Sequence, residues 1–209
     1  PIAVSIGLTC LAVLVIQGGW QAIPTELFAL QMLRGLNNFP ILAIPFFIFA
    51  ASLMNVGSVA NRIFDFANAL VGFIRGGLGH VNVVASMIFA GMSATAVADV
   101  AGIGQLEIKA MRERNYPMRF AAGITGAASI ISPVIPPSIP MVLYALNSNT
   151  SVGALFLGGI VPGVMMGLAL MLTIAIIAPR MNLPRSPAQP PRQVAWALAG
   201  AILPLTLPA

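Results

Sequence analysis

The stretch Ser132-Pro133-Val134-Ile135-Pro136-Pro137-Ser138-Ile139-Pro140 sets four prolines within eight residues, between apolar Phe120–Ile131 and apolar Met141–Leu146. Each proline lacks an N–H donor and crowds the turn before it, so no unbroken helix passes through. One or two prolines would suffice for a kink. Four predict a functional unwinding, with carbonyls around residues 129–136 stripped of their helical partners. At mid-bilayer depth such carbonyls need a replacement donor or a cation.

A second interruption lies upstream. The apolar segment 81–106 carries Gly91-Met92-Ser93-Ala94-Thr95-Ala96-Val97-Ala98-Asp99 at its middle, with Gly102 and Gly104 just beyond. Small and hydroxyl side chains cluster where a lipid-facing span would be bulky, and they permit a tight turn and close backbone approach. This favours a re-entrant hairpin over a full crossing. Lysine and arginine counting does not decide between them: the hairpin puts nine basic residues on one side against Arg34, whereas a crossing moves Arg62 and Arg75 over. Both arrangements make the side of 107–119 and 180–192 cytoplasmic.

The composition sets the class. Of 209 residues, 58% are hydrophobic and 7% charged, against about a quarter charged in a soluble domain. Apolar segments fall at about 1–16, 41–56, 81–106, 120–146, 153–178 and 194–209, several near the length that spans a bilayer. A helical membrane protein follows. Ten Lys/Arg scattered through apolar sequence make no basic face, which excludes nucleic-acid binding. The single cysteine, Cys10, excludes an intrachain disulfide framework. Residues 1–16 lack the basic region of a cleaved signal peptide. Opening on Pro1 and stopping inside apolar sequence, the chain reads as a fragment.

Between these segments, Thr25 is placed to cap a short interfacial helix carrying Leu27, Leu30, Leu33 and Leu36. Over 58–75, Asn61, Asp65, Asn68, Gly72 and Arg75 form one polar stripe at helical spacing. This predicts an amphipathic helix in the headgroup plane, capped by Ser58.

Two broken segments with hydroxyls and freed carbonyls at mid-depth are the arrangement of ion-coupled secondary transporters. Oxygen ligands from Ser93, Thr95, Ser132 and Ser138, with backbone carbonyls, suit sodium rather than a transition metal. Asp99 is the only carboxylate deep in an apolar segment. Capping the returning half of the hairpin suits it better than direct ion ligation. His80, beside Arg75 and Gly76-Gly77 at a membrane edge, reads as interfacial. It has no triad, paired-carboxylate or metalloprotease spacing around it, so no enzyme is predicted.

Several strings give the chain a family likeness: Phe39-Pro40-Ile41-Leu42-Ala43-Ile44-Pro45-Phe46-Phe47, Arg75-Gly76-Gly77-Leu78-Gly79-His80-Val81-Asn82-Val83, Ser93–Asp99, Ile135–Met141 and Gly158-Gly159-Ile160-Val161-Pro162-Gly163. With these it resembles the large membrane (M) subunit of tripartite ATP-independent periplasmic (TRAP) transporters, of the dicarboxylate type, over most of residues 25–178.

The resemblance implies an all-α, multi-span transporter of the elevator type, of which this fragment is most of the first of two inverted repeats. Scaffold helices would occupy 1–57, an arm helix 58–80, the transport-domain hairpin and broken helix 81–150, a transmembrane helix and cytoplasmic loop 151–192, and a truncated further helix 193–209. It implies a permease of the bacterial inner membrane that imports organic acids, C4-dicarboxylates or related carboxylates, driven by sodium and with no other cofactor. Its partners would be a periplasmic substrate-binding (P) protein and a small membrane (Q) subunit. The ion and substrate roles carry over to Ser93, Ala94, Thr95 and Asp99 in the hairpin, and to Ser132, Pro133, Pro136, Pro137 and Ser138. Sodium falls to Ser93, Thr95 and Ser132. Family hairpins commonly read Ser-Gly-Ser where this chain has Ser93-Ala94-Thr95, and a glycine is common where Ser132 stands. A non-transporting membrane scaffold that anchors partners is the competing expectation.

Overall fold

The computed structural model describes residues 2–19 and 59–185, with isolated positions at 26, 30, 33, 45, 46, 48, 49 and 197. The interfacial helix expected after Thr25, the Ser58 cap and the segment from 194 lie outside these residues, or nearly so. The chain divides into two units, Pro1–Leu42 and Ala43–Ala209. In the first, α1 (Ile2–Gly18) is mostly apolar; its Thr9 hydroxyl donates to the Ser5 carbonyl at 2.8 Å and Cys10 is a free, exposed thiol.

The described part of the second unit is helical. Helix α2 (Val59–Val71) is amphipathic and buries Ile63, Ala67 and Ala69. The polar stripe read over 58–75 therefore holds through Asn68. Gly72 and Arg75 lie past the helix end, in a turn that Gly76 reverses at φ 72°. Helix α3 (Gly77–Ser93) then runs to a break at Ala94-Thr95 and the chain returns through α4 (Ala96–Asp99), a π-helical turn (Val100–Gly104) and α5 (Gln105–Glu113). This is the hairpin that the small residues favoured. Ile63 and Ala67 of α2 pack on Val81, Ala85 and Phe89 of α3 and on Ile103 of the return.

Helix α6 (Met118–Ser129) follows, then an unwound stretch holding Ile130–Pro137, then α7 (Ile139–Ser148). The proline cluster thus ends one helix and postpones the next by nine residues; the Pro136–Pro137 peptide is cis. Helix α8 (Val152–Arg180) is 29 residues long, about 43 Å at helical rise. Among the described residues it is the helix long and apolar enough to cross a membrane. Its buried glycines Gly159, Gly163 and Gly167 fall every fourth residue and make a shallow rail. A Cβ at Gly159 would stand 2.5 Å from the Val134 carbonyl oxygen, and one at Gly163 2.5 Å from Ile135 Cγ1. Met87 of α3 lies against Gly167. The long helix therefore seats both the unwound stretch and the hairpin.

At the far end of the hairpin the chain ties itself together. The Tyr116 hydroxyl donates to the Pro184 carbonyl at 3.0 Å and accepts from the Leu78 N–H at 3.4 Å. The Gly76 N–H reaches the same Pro184 carbonyl at 3.2 Å, and Arg75 donates to Asn182 Oδ1 at 3.4 Å. Leu78, Met111, Tyr116, Ile174, Ala178 and Leu183 form the apolar core beneath this knot.

Candidate functional site

Both interruptions are built by their own residues. At the hairpin tip, Ala94 takes left-handed backbone (φ 55°), which turns the chain out of α3. Thr95 is extended, and its Oγ1 accepts the Ala98 N–H at 3.2 Å, capping the returning arm. The capping role expected of Asp99 thus belongs to Thr95. A cap must precede its helix, and Asp99 sits four residues inside.

In the second interruption Ser138 caps α7. Its Oγ accepts the Met141 N–H at 3.3 Å and donates to the Pro133 carbonyl at 2.6 Å. That hydroxyl proton, and one lone pair, are engaged in holding the unwound loop closed. Pro136 and Pro137, joined by the cis peptide, lie half-buried in the bend of the loop.

The two interruptions meet. A Cβ on Gly91, in the last turn of α3, would lie 3.9 Å from the Pro136 carbonyl oxygen. The Asp99 carboxylate lies beside the hydroxyls of Ser86 and Ser132, although neither its oxygens nor Ser132 Oγ make a hydrogen bond of good geometry. Ser93 Oγ is likewise buried without a partner. Among the described residues, the carbonyls of Ser132, Val134, Ile135 and Pro136 accept no backbone hydrogen bond. The last four carbonyls of α3 are free in the same way, as at any helix C-terminus.

The inventory at this junction is therefore one-sided. Ser93, Ser132 and Asp99 present buried oxygens, the main chain presents more, and helix α3 directs its negative end there. Each serine hydroxyl can donate one proton, so acceptor sites outnumber donors here, and a positive charge that brings no acceptor of its own suits the surplus. Oxygen ligands suit a hard cation, and the described residues hold no group of three His, Cys, Asp or Glu that could hold a metal ion. Of the hydroxyls expected to contribute, those of Ser93 and Ser132 are free and those of Thr95 and Ser138 are occupied as caps.

Sequence reading named Ser93 and Ser132 but missed the rest of the polar lining behind this junction. Asn82, Ser86 and Ser93 share one stripe of α3, and Thr125, Ser129 and Ser132 share another on and just beyond α6; all are buried. The intervals of four and seven, and of four and three, were the available signal. His80, expected at the interface, is 3% exposed with both ring nitrogens unpartnered. Glu107, at the edge of the segment expected to be cytoplasmic, is 1% exposed.

Comparison with known proteins bears on what such a junction serves. The DctM component of tripartite ATP-independent periplasmic transporters matches the chain over residues 1–209. The large permease protein of the Vibrio cholerae sialic acid TRAP transporter is 48% identical over 180 residues, 86% of this chain and 42% of that protein. That of the Escherichia coli 2,3-diketo-L-gulonate TRAP transporter is 43% identical, over 88% of this chain and 43% of the relative. The C4-dicarboxylate large permease of Pseudomonas aeruginosa is 45% identical, over 76% and 37%. The chain spans about two-fifths of the length of these relatives. These are membrane permeases of transporters and not enzymes, and a match along every residue described above means that the chain belongs to the DctM family of TRAP transporter large permeases.

Proposed function

We propose that this chain is the first-repeat part of a sodium-coupled permease subunit that imports an organic acid across the bacterial inner membrane. The observation that carries the reading is the meeting of two interrupted helices around buried oxygens of Ser93, Asp99 and Ser132 that have no hydrogen-bond partner. Sodium fits an all-oxygen shell of hydroxyl, carboxylate and main-chain carbonyl. Its charge offsets what Asp99 and the helix end place in a low-dielectric interior.

The coupling logic follows. With the ion bound, α3, the loop at 132–138 and the return at Thr95 are held in one geometry, and the capped starts of the returning arm and of α7 offer partial positive charge to an anion. Without it, the facing oxygens repel and that geometry loosens. An organic acid is supported as cargo by the names of the relatives, since sialic acid, diketogulonate and C4-dicarboxylates are all carboxylates. A periplasmic binding protein would deliver it, and a small membrane subunit would brace the scaffold. Residues 1–57 would belong to that scaffold, 58–80 to the arm, 81–150 to the moving part and 151–192 to its supporting span and cytoplasmic loop. A second, inverted repeat would complete the elevator.

The test is uptake of a radiolabelled organic acid by the complete permease, with its small subunit and binding protein, in proteoliposomes. A sodium gradient should drive uptake and a potassium gradient should not. The Ser93→Ala/Ser132→Ala double variant should raise the sodium concentration for half-maximal uptake at least tenfold. Uptake indifferent to sodium would refute the coupling, and no uptake with partners assembled would favour the anchoring scaffold.

A further inference from the structure

We propose that the groove between α6 and α8 holds one acyl chain of an anionic phospholipid, whose headgroup phosphate is met by Arg119.

The groove is cut by the sequence of α6. Gly123 and Ala127 stand one turn apart on a single face and lack the bulk to fill the space before Ile174 and Ile177 of α8, which leaves a slot of about 360 Å³. A Cβ at Gly123 would meet nothing within 4 Å. Thr173, a hydroxyl on the wall, donates to the Ala169 carbonyl at 2.8 Å and so asks nothing of an occupant. Below Arg119 the slot is therefore lined for hydrocarbon.

Its length and its charge identify what lies in it. Arg119 to Ala127 is about 12 Å along α6, and Leu170 to Met181 is about 16 Å along α8. The hydrocarbon of one leaflet is about 15 Å deep, half of a core about 30 Å thick. The slot opens beside Arg119 and Met181, where α6 begins and α8 ends. Basic residues gather at that level: Lys109, Arg112, Arg114 and Arg119 precede or open α6, and Arg180 and Arg185 close α8, against Glu113 and the buried Glu107. Arg119 itself is exposed and has no carboxylate partner among the described residues. A protein segment seated here would have to bring an apolar strip with an acid at one end. A phospholipid joins the two at this separation, and basic pockets between helices on the basic side of a membrane protein are suited to acidic headgroups. A zwitterionic headgroup carries its own cation, so an anionic one answers the surplus of positive charge better.

Native mass spectrometry of the complete permease, purified in mild detergent and titrated with phosphatidylglycerol, tests this. The parent should retain one lipid that Gly123→Leu, whose side chain fills the slot, does not. Arg119→Gln should hold that lipid at least tenfold more weakly and should take phosphatidylcholine equally well. Equal lipid counts in the parent and in Gly123→Leu would overturn the proposal. So would a Gly123→Leu permease that fails to assemble while Arg119→Gln binds phosphatidylglycerol as the parent does, for protein would then occupy the slot.

Discussion

Replacing Gly159 by alanine tests whether the long helix seats the unwound stretch. The added methyl would stand 2.5 Å from the Val134 carbonyl oxygen and 2.5 Å from Met141 Cε. The methionine can swing aside. The carbonyl belongs to a loop that Ser138 holds at Pro133, so the main chain itself must withdraw by about 1 Å to restore ordinary contact. Overpacking of this kind costs about 1–3 kcal/mol, offset by about 0.5–1 kcal/mol because alanine suits a helix better than glycine. A net loss of about 1–2 kcal/mol is expected. Gly158 supplies the control, since a Cβ there meets nothing within 4 Å; alanine at 158 should stabilise by about 0.5–1 kcal/mol. The assay is thermal unfolding of the complete permease in detergent, over a sodium series at constant ionic strength. Gly159→Ala should melt below the parent, Gly158→Ala above it, and only the former should weaken sodium stabilisation. Should the two neighbouring variants melt together, the inference that α8 positions the unwound stretch is wrong.

Two further outcomes are expected. Ala94 carries left-handed backbone at φ 55°, a conformation that costs a side-chain-bearing residue about 1–2 kcal/mol; Ala94→Gly should relieve it and, after the extra freedom glycine gives the unfolded chain, raise stability by about 0.5–1 kcal/mol, read by the same melts. Partial desolvation pushes the Asp65 carboxyl, which stays exposed on amphipathic α2 outside the spanning segments, above its ordinary 3.8. The folded state therefore holds that proton more tightly, so stability conferred by the neutral form is present below 3.8 and falls as pH rises through the raised value. Asp65→Asn should flatten that part of the stability–pH curve, and an unaltered curve would remove the assignment.

Much of this was legible because proline and small residues act locally. Pro133, Pro136 and Pro137 break a helix whatever surrounds them, and Pro140 is accommodated in the first turn of α7, so the unwound stretch could be read from residues 133–140 alone. The hairpin was legible from the small residues at 91–99. Its cap was not: Thr95 and Asp99 are equally good capping types, and only the position of the first helical turn separates them. Burial of His80 and Glu107 was hidden for a different reason. Both stand beside charged or glycine-rich sequence that reads as a membrane edge, while burial follows from how α3 packs on α2, α6 and α8, and α5 on α3 and α6, which no local pattern records. The π-helical turn leaves no compositional trace beyond Gly102 and Gly104.

The knot joining Gly76, Leu78, Tyr116 and Pro184 constrains how this unit can move. It fastens the start of the hairpin, its exit and the tail of the long helix to one another at a single point. Prising the two arms apart at their root would break these bonds together and expose the apolar residues below. The root is thus clamped, and freedom is left to the tip, where Ser93 and Thr95 can shift against Ser132, or to the whole bundle travelling as one piece.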